Sequence, residues 1–221
     1  MTTTTAELLP LLGLRITAGP LELRGIGDDD LAALVDLAAT GIHPPDRMPF
    51  YVPWTDVPAE ELPRSFAAYH WGQRAAFSVE SWSADFAVRY DGALVGTQGI
   101  SAKAYPVTRT GETGSWLAAA HQGRGIGTLM RQVLCAFMFD HLDAEEVTSA
   151  AFLDNPASLA VSRKVGYRPG GVRRLQRRPG ELALNQQLAL APADLVRAPY
   201  PLRIEGLPAF RRSIGLDVPL P

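Results

Sequence analysis

Trp116-Leu117-Ala118-Ala119-Ala120-His121-Gln122-Gly123-Arg124-Gly125-Ile126-Gly127-Thr128 decides how this 221-residue chain is read. A short apolar strand runs into three alternating glycines and then straight into a helix. From Ile126 the apolar residues recur at Leu129, Met130, Val133, Leu134, Phe137 and Met138, the stripe of a helix that packs on a sheet. A glycine turn at a helix N-terminus is an anion site. The first-turn N–H groups have no intrahelical acceptor, the helix dipole adds partial positive charge, and glycine lets a phosphate approach the backbone closely. The stretch predicts a phosphorylated ligand.

Three kinds of phosphate loop fit to different degrees. A P-loop needs Gly-Lys-Ser/Thr, and here Gly127-Thr128 lacks the lysine. A dinucleotide loop needs G-x-G-x-x-G and an acidic residue at the end of the next strand. The spacing here is Gly123-x-Gly125-x-Gly127, Glu145 and Glu146 precede that strand, and Asp154 comes late for the role. The third pattern, Gln/Arg-x-x-Gly-x-Gly/Ala, matches Gln122-Gly123-Arg124-Gly125-Ile126-Gly127 at every position.

Composition narrows the setting. Charged residues make up 20% and the formal net charge is -2, so no field favours nucleic acid or a membrane surface. The single cysteine, Cys135, excludes an internal disulfide and suits a reducing cytoplasm; inside the long helix it reads as a buried, inert thiol. His43, His70, His121 and His141 show no ligand spacing, so no metal is expected. The apolar runs are too short for a membrane span. Met1 to Thr5 reads as a frayed end without the features of a signal peptide.

Leu21 to Arg24 alternates as a first strand, and Asp28 to Asp30 open a helix that Thr40-Gly41 ends. His43 to Pro58 holds five prolines among large apolar residues, including Met48, Phe50 and Trp54. It reads equally as a lid on the core and as the wall of a substrate pocket. A second helix runs from Glu60 to about Phe77. Asp91-Gly92 marks a tight antiparallel hairpin, and Glu112 to Leu117 is the strand that feeds the glycine loop. After the long helix come a strand, Glu146 to Phe152, and a short helix with Asn155 as N-cap, Pro156 at N1 and Gly166 at its end. Val172 to Arg178 and Leu182 to Leu190 form a last hairpin. Its basic run, Arg173-Arg174-Leu175-Gln176-Arg177-Arg178, reads as a solvated sheet edge. The fold class is therefore mixed α/β (α+β): a mostly antiparallel sheet with one parallel crossover at the glycine loop, flanked by helices.

From about Leu21 to Leu190 this order and the loop pattern resemble the GNAT superfamily of acyl-CoA-dependent N-acyltransferases. Glu112-x-Gly114-x-Trp116-Leu117 and Asn155-x-x-Ser158-x-x-Val161-x-x-Lys164-x-Gly166-Tyr167 look like the branch of RimJ/RimL-type ribosomal-protein N-terminal acetyltransferases. The resemblance implies an acetyltransferase domain at 21–190; outside it, 1–20 reads as a tail and the proline-rich 191–221 as an arm that packs on the domain or on a second copy in a homodimer. It implies acetyl-CoA as co-substrate and a primary amine as acceptor. The pyrophosphate would lie on the N–H groups of Gly123, Arg124, Gly125, Gly127 and Thr128, within the loop that Gln122 opens. The pantetheine arm would meet the backbone of Leu117 and Ala119, Asn155 would also reach the arm, and Arg124 and Lys164 would face phosphate charge. An ammonium has no lone pair, so the amine must first lose a proton, and Glu112 is the candidate base. Ser158 would sit by the sulfur; where other members place a tyrosine four residues further on, this chain has Ser162. Met48, Phe50 and Trp54 are candidate substrate contacts. The rival to an enzyme is a GNAT-fold module that binds acyl-CoA without turnover.

Overall fold

The computed structural model describes residues 3–217; Met1, Thr2 and residues 218–221 of the expected tail and arm lie outside it. In chain order the elements are α1 (Thr5–Leu8), β1 (Arg15–Ala18), β2 (Leu21–Gly25), α2 (Asp28–Ala39), α3 (Leu62–Ala75), β3 (Ser81–Tyr90), β4 (Ala93–Lys103), α4 (Tyr105–Thr108), β5 (Thr110–Leu117), α5 (Ile126–His141), β6 (Glu146–Phe152), α6 (Pro156–Val165), β7 (Arg168–Arg178), β8 (Glu181–Leu190), β9 (Arg203–Glu205) and α7 (Leu207–Ser213). Among the described residues the strands form one sheet in the order β7-β8-β6-β5-β4-β3-β2-β1-β9. Every neighbouring pair is antiparallel except β5 and β6, which the α5 crossover joins in parallel.

Period-two alternation sends successive side chains to opposite faces. Phe86, Val88 and Leu117 join the larger core under α5, while Ala87 and Trp116 join a second core under α2 and α3. The apolar stripe of α5 explains its place: Val133, Leu134, Phe137 and Met138 are all fully buried. Full burial of such a side chain stabilises by about 1.5–3 kcal/mol before entropy is charged. The helix caps expected at Asn155 and Gly166 are present. Asn155 Oδ1 accepts the Ser158 N–H at 3.1 Å, and Gly166 takes φ 109°, a left-handed turn that suits a residue without Cβ.

Both ends of the chain carry more structure than the pattern foretold. Thr4 closes a capping box with Glu7, and Arg15–Ala18 adds a strand ahead of the expected first one. The C-terminal segment returns to the same edge, where Arg203–Glu205 pairs with β1. The last hairpin begins four residues earlier than expected, at Arg168. Among the described residues no helix is long and apolar enough to cross a membrane.

Candidate active site

The parallel ladder between β5 and β6 is short. It pairs Thr110 with Glu146, Gly111 with Val147 and Glu112 with Thr148, and then stops. Beyond that point β5 stays on β4 as far as Leu117, and β6 stays on β8 as far as Phe152. The two strands part like a V that opens toward the glycine loop. Side chains take over where backbone pairing ends. Ser149 Oγ donates to the Thr113 carbonyl at 3.0 Å, and the buried Tyr167 hydroxyl meets Thr113 Oγ1 at 2.9 Å.

At the mouth of the V, Gly123 and Gly125 adopt φ +72° and +83°, with open space where a side chain would stand. The N–H groups of Gly123, Arg124, Gly125, Ile126 and Gly127 find no hydrogen-bond acceptor among the described residues. That of Thr128 is engaged by the Gly125 carbonyl at 3.1 Å, so the free set keeps four of the five expected N–H groups and adds that of Ile126. Gln122 serves the loop in a different way. Its amide Nε2 donates to the Ile42 carbonyl at 2.7 Å and to the Leu117 carbonyl at 2.8 Å, pinning the loop to β5 and to the end of α2. The Ala119 N–H donates to the Gly41 carbonyl at 2.9 Å. The Leu117 carbonyl and the Ala119 N–H are therefore engaged within the chain. Arg124 and Lys164 are exposed.

Glu112, Gly114 and Trp116 share the α2/α3 face of β5, and the Glu112 carboxylate is exposed there. Gly114 leaves open space beside it, with nothing within 4 Å of where a Cβ would be. Ser158 is half-buried on the first turn of α6, and Ser162, one turn on, is fully buried with an unpartnered hydroxyl. Cys135 lies under the sheet beside Tyr167, Sγ to hydroxyl 3.4 Å, and burial pushes its thiol up to about 11.

The proline-rich segment roofs the α2/α3 face. Trp54 packs on Phe50, Phe66 and Trp116 with ring centroids 5.3–5.8 Å apart. Met48 is fully buried, and its carbonyl accepts from Arg177 at 3.2 Å. Arg177 also binds Asp154 and Glu181 and lies over the Phe152 ring. Arg178 makes a two-point contact with Asp56. Half of the basic run thus ties the segment to the β7–β8 hairpin, while Arg173 and Arg174 stay solvated on the edge strand as expected. The sequence pattern gave no sign of these partners, because they lie more than 120 residues away.

Two further features escaped the motif reading. Arg131 sits in line with Leu134 and Met138 on α5, and a cation on an apolar stripe was the available signal. His70 and Asp85 face each other, Nδ1 to Oδ2 3.6 Å.

Residues 21–168 match the acetyltransferase (GNAT) domain model. Over 78 residues, 35% of the chain, there is 32% identity to Bacillus subtilis YdaF, whose name assigns it provisionally to ribosomal N-acetylation; the match spans 42% of that relative. Mycobacterium smegmatis RimJ, solved with CoA-disulfide, superposes with a TM-score of 0.65 at 19% identity, covering 83% of this chain and 88% of that one. RimL, a ribosomal α-N-protein acetyltransferase solved with coenzyme A, gives 0.60 at 18% identity over 78% and 94%. At these identities the two structures establish the shared fold.

Proposed function

The chain belongs to the GNAT acetyltransferase family, and from that premise we propose that it moves the acetyl group of acetyl-CoA to a primary amine by direct attack. The observation that carries this reading is the parting of β5 and β6 just beyond Glu112 and Thr148, beside a loop with five free N–H groups. The residues suit the co-substrate. The N–H groups of Gly123 to Gly127 would hold its pyrophosphate, and the V is a slot where an extended arm can lie between strands.

Acetyl-CoA supplies the acetyl group as an activated thioester; the protein's task is to position and deprotonate the amine. Glu112, exposed beside the open space over Gly114, accepts the amine proton directly or through water. Ser158 donates a hydrogen bond to the departing sulfur, and its half-buried place on α6 is compatible with the N-cap that orders that turn. The nitrogen–carbon bond forms as the carbon–sulfur bond breaks, giving an amide and a free thiol. Cys135 takes no part: it is buried and its thiol is held protonated at neutral pH.

The kinship with ribosomal N-acetyltransferases supports a protein N-terminal α-amine, which at a pKa of ~8 needs less help than a lysine-type amine at ~10. The roofed face supports an acceptor that enters end-on, either an N-terminus or a small-molecule amine. The test is thiol release from acetyl-CoA against a panel of short peptides and small amines. Turnover with one class, reduced roughly 100-fold or more in Glu112→Gln at pH 7, is expected. Turnover unchanged in that variant would remove Glu112 as base. Tight acetyl-CoA binding with no turnover on any amine would favour a sensor.

A further inference from the structure

Arg131 is 5% exposed, and no carboxylate pairs with it among the described residues. A buried charge without a counter-charge is costly, so its setting needs a physical account. It lies on α5 beneath the V. Nη2 donates to Ser115 Oγ of β5 at 3.0 Å, and Nη1 donates to Ser149 Oγ of β6 at 3.2 Å. Ser115 and Ser149 both lie past the last backbone pair of the ladder, one on each diverging strand. One rigid guanidinium thus spans the gap that the ladder has left. Its Nε is buried without a partner, as is Oε1 of Gln98, which lies opposite Ser115 on β4. The Tyr167 ring lies 5.9 Å from the guanidinium carbon. Native folds rarely leave such groups orphaned.

We propose that Arg131 is a positioning residue that holds β5 and β6 apart at a set width and offers its spare N–H groups to the amide-bearing arm of coenzyme A. The planar fork suits the task. It reaches two oxygens at once with little rotamer freedom to lose, whereas a lysine reaches as a single point. Its spare donors gain an acceptor only when a carbonyl-bearing chain enters the slot. This role rests on the acetyl-CoA reading above, and it assigns to a helix residue a function that the glycine loop does not perform.

The test measures binding to the purified full chain by calorimetry, with two probes: coenzyme A, and adenosine 3′,5′-bisphosphate, which lacks the arm. The Kd for coenzyme A should rise roughly tenfold or more in Arg131→Met, the effect of losing a charged hydrogen bond to the ligand. The Kd for the bisphosphate should stay within about twofold of wild type, because the loop is intact. The apo melting temperature should be unchanged or higher, since a buried charge has been replaced by apolar volume. Arg131→Lys should recover little of the coenzyme A affinity. If Arg131→Met does not fold, Ser115→Ala with Ser149→Ala removes both anchors and should show the same selective loss. Equal weakening of both probes, or of neither, would overturn the proposal. A wild type that binds no coenzyme A would instead overturn the acetyl-CoA reading on which it stands.

Discussion

At the scale of single residues, the pair His70 and Asp85 shows burial outweighing attraction. At 3.6 Å an ion pair would be expected, yet both side chains are largely withdrawn from water. Burial pushes Asp85 up to about 6, and burial together with the Arg74 charge pushes His70 down to about 4. Near neutral pH the imidazole is uncharged and the carboxylate stands alone. The signs follow from linkage. Asp85 penalises the fold fully above pH 6 and is relieved as pH falls toward its ordinary value of 3.8. His70 penalises it increasingly as pH falls from 6.5 to about 4. The two slopes oppose each other, so the pair flattens the acid side of the stability curve. Asp85→Asn should therefore stabilise the protein at pH 7.5 by about 1–3 kcal/mol, a gain that shrinks toward pH 4. Urea unfolding at both pH values checks this; a gain equal at both would show that Asp85 does not titrate in that range.

At the scale of elements, the segment 43–58 has no regular structure beyond a short turn at Trp54–Asp56, and it is held by its docking. One face is aromatic packing on Trp116, and the other is the pair of arginines from the β7–β8 hairpin. Arg177 is the stronger tie, because it is 10% exposed and bonds to two carboxylates and a carbonyl, while the exposed Arg178–Asp56 pair is worth less. Replacing Arg177 by methionine should loosen the roof without touching the glycine loop. The expected result is faster limited proteolysis within 43–58 and an acceptor KM raised several-fold. The coenzyme A Kd should stay within about twofold. An unchanged cleavage rate would mean that the aromatic face alone holds the segment.

At the scale of the whole molecule, the C-terminal segment completes the sheet and the core together. β9 covers the β1 edge, and an uncovered edge is a template for aggregation. Phe210 and Ile214 of the same segment are fully buried, with Phe210 edge-on to Trp82 at 5.8 Å. Arg211 ties it further through Asp143 and the His141 carbonyl. Ending the chain after Leu202 should lower stability by about 3–6 kcal/mol, from the loss of two buried side chains, and should produce aggregates. Thermal melts and light scattering read both effects. A truncated chain that melts like the full one would show that the segment rides on the fold without supporting it.

What the sequence determined by itself is what short-range chemistry enforces. The three glycines before an apolar stripe announced the strand, loop and helix; Asn155-Pro156 and Gly166 bounded α6; Asp91-Gly92 marked the hairpin. Each signal lies within one turn or one tight bend of the residues it organises. The family followed from two such signals in order. Only the tertiary structure decided where β5 and β6 separate, what Gln122 and Arg177 bind, and why a cation on an apolar stripe is tolerated at Arg131. Those contacts join residues from 5 to 129 positions apart, and their geometry depends on side chains that converge only once the sheet has formed. Periodicity marks a buried face; it does not say which polar group will be met there.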